Sequence, residues 1–253
     1  RDEVLDETDV LIVGGGVIGC ATAYYFAREG GECLVIDRTD LNTESSGRNA
    51  GSLHVQLQSM VFKEDTETVI LAREETLPLF MEAGRTWKQL DAELDDDFEL
   101  SVEGGLMVAE TEEQVRFMEQ KLERERRQGI DVEILDQAQV QALAPYLSER
   151  IIAAEHCPHE GKLNPLLATL ALARGAEAAG ARIRRHTELL SLERDNQGFE
   201  ARTDRGVIRA RRVVNAAGPG TPAVAGMMGI DLPVNYKCIQ GTITEPTAAV
   251  VKH

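Results

Sequence analysis

Glycines stand at positions 14, 16 and 19, with Val17 and Ile18 between the second and third, in the order G-x-G-x-x-G. Each glycine at that spacing has a task. The first permits a tight turn, the second lets backbone approach a pyrophosphate, and the third lets a helix pack close to a strand. The helix that follows offers its first N–H groups and the positive end of its dipole to an anion. Eighteen residues past Gly19 stands Asp37, a carboxylate suited to accept hydrogen bonds from both hydroxyls of a ribose. A free 2′-hydroxyl follows, which favours FAD or NAD over a 2′-phosphorylated nucleotide; only the neighbouring Arg38 would suit the phosphate. The competing reading of Asp37 is a solvated acid at a strand end.

A second group of residues separates FAD from NAD. Ser45, Ser46, Gly47, Arg48, Asn49, Ala50 and Gly51 form a loop of small residues and exposed amides that suits a ribityl–diphosphate chain, with Arg48 available for charge. His156, Cys157 and His159 invite a metal, but strand alternation sends 157 away from its neighbours and a fourth ligand is not evident, so no metal is expected. Cys20, Cys33, Cys157 and Cys238 form no C-x-x-C pair and read as buried free thiols.

These residues need elements to hold them. Asp9 to Val13 and Cys33 to Asp37 read as buried parallel strands, with a helix between them closed by Gly30. Glu67 to Leu90 carries one helical stripe with a kink expected at Pro78, and Thr111 opens a capping box for a helix that ends by Gly129. Leu100 to Ala109 reads as strands about a turn. Asn164 and Pro165 start a helix that runs to Gly180. Strands are expected over Arg182–Leu192, Gly198–Thr203 and Val207–Ala210, and a last buried strand at Val213 ends in the small residues Ala216, Ala217 and Gly218.

The motifs G-G-G-V-I-G (14–19), V-I-D-R (35–38), S-S-G-R-N-A-G (45–51), G-G-L-M-V-A (104–109), H-E-G-K-L-N-P (159–165) and V-V-N-A-A-G-P-G (213–220) resemble, in the same order, those of the D-amino-acid oxidase-like family of flavoproteins. Glycine oxidase, sarcosine oxidase and the catalytic subunits of opine and hydroxyproline oxidoreductases are members. The resemblance implies an α/β fold: a Rossmann-like FAD domain (1–90 and 149–228) interleaved with an α+β substrate domain (91–148). The start of a substrate-domain sheet would follow at 229–253, with a strand over 234–243 and its carboxy-terminal part absent. By motif, Gly14 to Gly19 would hold the pyrophosphate of FAD, Asp37 and Arg38 the adenosine ribose, and Ser45 to Gly51 the phosphates and ribityl. The backbone of Leu189 would face adenine, and Ala217 with Gly218 would pass beneath the cofactor. Ser52, Leu53 and His54 would approach the flavin edge, which makes His54 the candidate catalytic residue against a packing or surface role.

The implied activity is oxidation of the C–N bond of a small amine or amino acid, such as glycine, sarcosine, an imino acid, a D-amino acid or an opine, by hydride transfer to the flavin. The alternatives are the flavin domain of an RNA-modifying enzyme and a non-catalytic flavoprotein subunit. A partner subunit or a further carboxy-terminal segment is expected to complete the site. The 27 basic and 43 acidic side chains leave a net charge of −16, which repels phosphate backbones and disfavours nucleic acid. Apolar runs fall short of the roughly 20 residues that span a bilayer, so no membrane span is expected. The acidic start shows no signal peptide, which makes the cytoplasm the expected compartment.

Overall fold

The apolar run ahead of Gly14 belongs to a longer strand than its sequence suggests. In the computed structural model, which describes residues 4–58, 66–238, 240, 241, 245 and 248, this strand spans Val4–Val13. In chain order the elements are β1 (Val4–Val13), α1 (Val17–Arg28), β2 (Cys33–Ile36), β3 (Ser52–Leu53), α2 (Glu67–Glu74), α3 (Leu77–Glu93), β4 (Gly105–Ala109), α4 (Glu112–Arg127), β5 (Glu133–Asp136) and α5 (Gln137–Leu143). They continue with β6 (Ala153–Cys157), β7 (Gly161–Lys162), α6 (Pro165–Ala178), β8 (Arg182–Arg184), β9 (Leu189–Arg194), β10 (Phe199–Thr203), β11 (Gly206–Asn215) and α7 (Thr221–Gly226). Two compact units result: Arg1–Ala50 with Leu94–Phe98 and Asn164–Thr242, and Gly51–Glu93 with Glu99–Leu163 and Ile243–His253. The expected boundary positions 90 and 148 both lie inside segments of the second unit.

The first unit is built on a six-stranded sheet in the order β8-β2-β1-β11-β10-β9. β8, β2, β1 and β11 are parallel, and β10 and β9 continue antiparallel. Leu11, Ile12, Leu34 and Val35 are wholly buried, because a parallel sheet covered on both faces needs apolar residues at successive positions. Leu11, Val13, Leu34 and Ile36 pack with Leu189, Leu192, Ala201, Ile208 and Val224 into one core. The registers Val13↔Ile36 and Val13↔Asn215 bring the carboxyl ends of three parallel strands level with one another. Such ends, with β1 between its two neighbours, are where open α/β sheets form a crevice.

In the second unit, β4, β6 and β5 form an antiparallel sheet in that order, and β3 pairs with β7 as a short ribbon. Thr111 and Asp136 both make full capping boxes, with Gln114 and Gln139 reaching back, and so fix the starts of α4 and α5.

Several expectations change in detail. The Glu67–Leu90 stripe is two helices rather than one kinked helix: α2 ends at Glu74, and Pro78 sits in the first turn of α3, where its missing N–H costs no hydrogen bond. Leu100–Ala109 gives one strand, β4, which pairs with β6, and Ser101 instead bridges to Lys162. Arg182–Leu192 is interrupted, so that β8 extends the parallel edge and β9 starts a separate antiparallel edge. Conversely, the strands expected at 207–210 and 213 are one ten-residue strand, β11. Cys20, Cys33 and Cys157 are buried free thiols, whereas Cys238 is exposed. Of the strand expected over 234–243, residues 239, 242 and 243 lie outside the described residues, and residues 234–238 form no strand.

A Cβ on Gly19 would press on the carbonyl oxygen of Gly14, backbone against backbone. Gly19→Ala is therefore expected to destabilise the first unit by about 1–3 kcal/mol, the usual cost of overpacking. Urea unfolding of the variant beside the wild type measures it, and an unchanged midpoint would contradict this reading of the helix–strand contact.

Candidate functional site

The carboxyl ends of β1, β2 and β11 open onto a groove of about 440 Å³ in the first unit. Gly14 sits at its base with φ +113°, a conformation that side chains rarely adopt, and a Cβ there would strike the Ala216 carbonyl. Gly16 is the N-cap of α1, and the first turn of that helix carries no acidic residue, so its positive end is not neutralised from within. The Val17 N–H donates to Ser46 Oγ at 3.0 Å, and a Cβ on Gly16 would come within 2.9 Å of that hydroxyl.

Asp37 is held in place from both sides. Its Oδ2 accepts the Gly15 N–H at 2.7 Å, while Oδ1 accepts the Thr39 N–H at 2.8 Å and the Thr39 hydroxyl at 3.0 Å. Each oxygen keeps acceptor capacity toward the groove. Arg38 pairs with Glu44 at 3.6 Å, and Glu44 lines the same groove. With Asp37 this makes the entrance acidic and unfavourable to an added 2′-phosphate.

Gly14, Gly16, Ile18, Asp37, Arg38, Ser45, Ser46, Leu189, Ala217 and Gly218 line the groove together. Val17, Gly19, Gly47, Arg48, Asn49 and Ala50 do not, and Gly51 belongs to the second unit. Their work is local. Gly19 packs helix to strand, Gly47 leaves room for the Asn42 carbonyl, and the Asn49 side chain donates to the Ser45 and Ser46 carbonyls at 3.0 and 2.8 Å, closing the 3-10 turn Ser45–Gly47.

Asn215 is the principal residue that motif reading passed over. It lines the groove, its Nδ2 donates to the Thr221 carbonyl at 2.9 Å, and its Oδ1 accepts the Ala217 N–H at 3.3 Å, which shapes the turn that carries Ala217 and Gly218. An asparagine at a strand end before A-A-G-P was the available signal. Thr187, Glu188, Val224 and Met227 also line the groove, and no local pattern marks them.

In the second unit, His54 follows β3 and borders a hollow of about 410 Å³ that is also lined by Gln56, Arg73, Phe80 and Trp87. His54 Nδ1 lies 3.4 Å from Glu160 Oε2, and Glu160 Oε1 accepts the Val55 and Gln56 N–H groups at 2.8 and 3.1 Å. The hydrogen bond to Glu160 raises the His54 pKa above its ordinary 6.5, against the opposing effect of burial. Burial by itself would raise Glu160, but the bonds from His54, Gln56 and Val55 outweigh it and lower the carboxyl below its ordinary 4.5. His156 pairs with Glu133 at 3.4 Å and Cys157 is buried, its thiol pushed up to about 11, first by burial. Among the described residues no three histidine, cysteine or acidic groups converge as metal ligands.

The first unit's groove fits a dinucleotide. It has backbone thinned by glycine where a pyrophosphate would lie, a helix start without its own acid, and a fixed carboxylate at the ribose distance along the chain. A family model described as FAD dependent oxidoreductase (DAO) matches residues 9–250. The chain is 27% identical to the beta subunit of sarcosine oxidase from Arthrobacter sp., covering 97% of this chain and 61% of that protein. It is likewise 27% identical to a subunit of opine oxidase from Agrobacterium tumefaciens (strain Ach5), covering 95% of this chain and 64% of that protein. The crystal structure of glycine oxidase from Geobacillus kaustophilus superimposes with a TM-score of 0.73 at 27% identity, over 89% of this chain and 59% of that one. The chain thus spans less than two thirds of each.

The His54–Glu160 pair carries a pH dependence with a definite sign. The His54 contribution, from a raised pKa, is complete below pH 6.5 and is lost as pH rises through the folded value. The Glu160 contribution, from a lowered pKa, is complete above pH 4.5 and is lost as pH falls through its folded value. Both are present between those limits, and with the His54 side chain 47% exposed their worth is about 0–1 kcal/mol. An NMR titration of His54 should give a midpoint above 6.5 that Glu160→Gln lowers; a wild-type midpoint at or below 6.5 would contradict the pairing.

Proposed function

The chain belongs to the FAD-dependent oxidoreductase (DAO) family, and we propose that it holds FAD in the groove at the carboxyl ends of β1, β2 and β11 and serves an enzyme that oxidises the C–N bond of a small amine or amino acid. The observation that carries this reading is the meeting, in one groove, of the glycine-thinned turn, the acid-free start of α1 and the doubly anchored Asp37 carboxylate.

The chain's own residues divide the work. The N-terminal amides of α1 attract the pyrophosphate, and Ser46, whose hydroxyl oxygen accepts the Val17 N–H, keeps its own O–H to donate to the phosphates. Asp37, fixed by Gly15 and Thr39, accepts the ribose hydroxyls, and the Glu44 partner of Arg38 keeps that end selective against a 2′-phosphate. The backbone at Leu189, which lines the groove, would face adenine, and the Asn215-pinned turn would leave Ala217 and Gly218, without bulk, next to the bound cofactor. FAD, when bound, supplies the hydride acceptor. In the second unit, His54 offers a nitrogen whose protonation is set by Glu160, and its role is to orient the substrate or hold a proton there.

The names of the relatives supply the substrate class: sarcosine, glycine and opines are all small compounds with a C–N bond next to a carboxylate. Two relatives are named as subunits, which supports a partner chain in the working enzyme.

Anaerobic addition of amino acids, N-methyl amino acids and opines to the purified yellow protein tests the activity: at least one should bleach the flavin absorbance, and bleaching by none would overturn it. For the groove, Asp37→Ala should weaken FAD binding by about 1–3 kcal/mol, roughly 5- to 150-fold in Kd. Gly16→Val should abolish FAD retention in a folded protein, because the added side chain occupies the space between α1 and Ser46. Stoichiometric FAD in the Gly16→Val variant, measured by absorbance, would remove the groove from consideration.

A further inference from the structure

Beneath the 52–58 segment, the second unit encloses a charge cluster in which the Lys121, Glu125 and Glu155 side chains are all wholly buried. Lys121 Nζ donates to Glu125 Oε1 at 2.6 Å, to Glu155 Oε1 at 2.8 Å and to Gln56 Oε1 at 3.2 Å. One ammonium thus faces two carboxyl groups. The nearby cations are committed elsewhere: Arg124 binds Glu67 and Glu74, Arg126 binds the Val132 carbonyl, Arg127 pairs with Glu74, and His54 faces Glu160. Cys157, also against this region, is a buried thiol that stays neutral.

Two ionised carboxylates would leave one negative charge uncompensated in the interior, which costs several kcal/mol and is relieved by binding a proton. The two groups differ in how well they tolerate charge. Glu125 Oε1 accepts a second donor, the Leu57 N–H at 2.6 Å, and is the better carboxylate. That leaves Glu125 Oε2 and Glu155 Oε2, both buried and both without another hydrogen-bond partner. The Glu155 and Glu125 carboxyl groups lie within hydrogen-bond reach of one another, so a proton on Glu155 Oε2 has the Glu125 carboxylate as its acceptor.

We propose that Glu155 is a neutral carboxylic acid bonded to the Glu125 carboxylate, and that this pair, tethered by Lys121, is a proton-dependent clamp that positions residues 55–57. The clamp acts through backbone. Glu125 holds the Leu57 amide and Glu160 holds those of Val55 and Gln56, so three successive N–H groups next to His54 end on buried carboxylates. Consistent with this, burial first and the Glu125 carboxylate second push the Glu155 pKa up to about 8, against the attraction of Lys121. A carboxyl raised on closing stabilises the closed form fully below its ordinary value and less as pH rises through the raised one. Rising pH therefore loosens the segment. The clamp holds whether or not the first unit's groove takes FAD.

Two measurements on the full-length protein test it. In the wild type, a carbon-13 titration of the glutamate carboxyls should show one group, Glu155, with a midpoint above 7; midpoints below 6 for every glutamate would overturn the proposal without recourse to a variant. In hydrogen exchange, protection of the Leu57 amide, corrected for intrinsic rate, should fall by up to about tenfold per pH unit between pH 5 and 8 and then level off. Glu155→Gln, which keeps a neutral donor in place, should remove most of that slope while leaving the His54–Glu160 contribution unchanged. An equal slope in wild type and Glu155→Gln would show that Glu155 carries no such proton.

Discussion

The close approach of β1 to β11 at Gly14 is the constraint on which the first unit's site depends. Because Gly14 has no Cβ and takes φ +113°, the Ala216 carbonyl can lie against it, and the chain can turn from β1 into α1 without a side chain entering the groove. The same contact brings the Asn215 turn, with Ala217 and Gly218, to face the start of α1. Asp37 completes the arrangement by accepting the Gly15 N–H, so that a residue at the end of β2 braces the glycine turn. Ligand recognition and backbone geometry share these atoms, and a change to one disturbs the other.

The second unit solves a different problem, the support of an irregular segment. Residues 54–58 pair with no strand among the described residues, and the amides of Val55, Gln56 and Leu57 are satisfied by side chains that come from α4 and from the turn before β7. Buried charge is an expensive way to hold a loop, since each carboxylate must be matched by donors or by a proton. Glu160 is matched by two amides and His54, and Glu125 by Lys121 and Leu57. Among the described residues Lys121 is the one cation that faces Glu155, which makes it the hardest of the three to keep ionised.

What the sequence revealed about this molecule follows from how local each signal is. The β1–α1–β2 unit, the Thr111 cap and the Asn164–Pro165 helix start were legible, because strand run, glycine spacing and capping residues lie within a few positions of one another. The DAO family membership was legible for a related reason: six short motifs keep their order along the chain. The sequence of β11 reads as two strands because Arg209, Arg211 and Arg212 interrupt its apolar pattern, although their side chains leave the sheet for solvent and the backbone ladder continues. The break between α2 and α3 looks like a kink in the sequence because the apolar stripe continues across it. Of the 45–51 loop, only Ser45 and Ser46 reach the groove, since Asn49 and Gly47 are spent on folding the loop itself. The Lys121–Glu125–Glu155 cluster was not legible at all: Lys121 and Glu125 look like an ordinary i,i+4 surface pair until β6 and residue 56 close over them.

The central claim is that the start of α1 and Asp37 form one dinucleotide site. A crystal structure of the full-length protein with FAD tests it most directly. The account predicts pyrophosphate oxygens within about 3.2 Å of the amides at the start of α1 and both hydroxyls of the adenosine ribose on the Asp37 carboxylate. FAD bound elsewhere, or in this groove with its ribose turned away from Asp37, would contradict it.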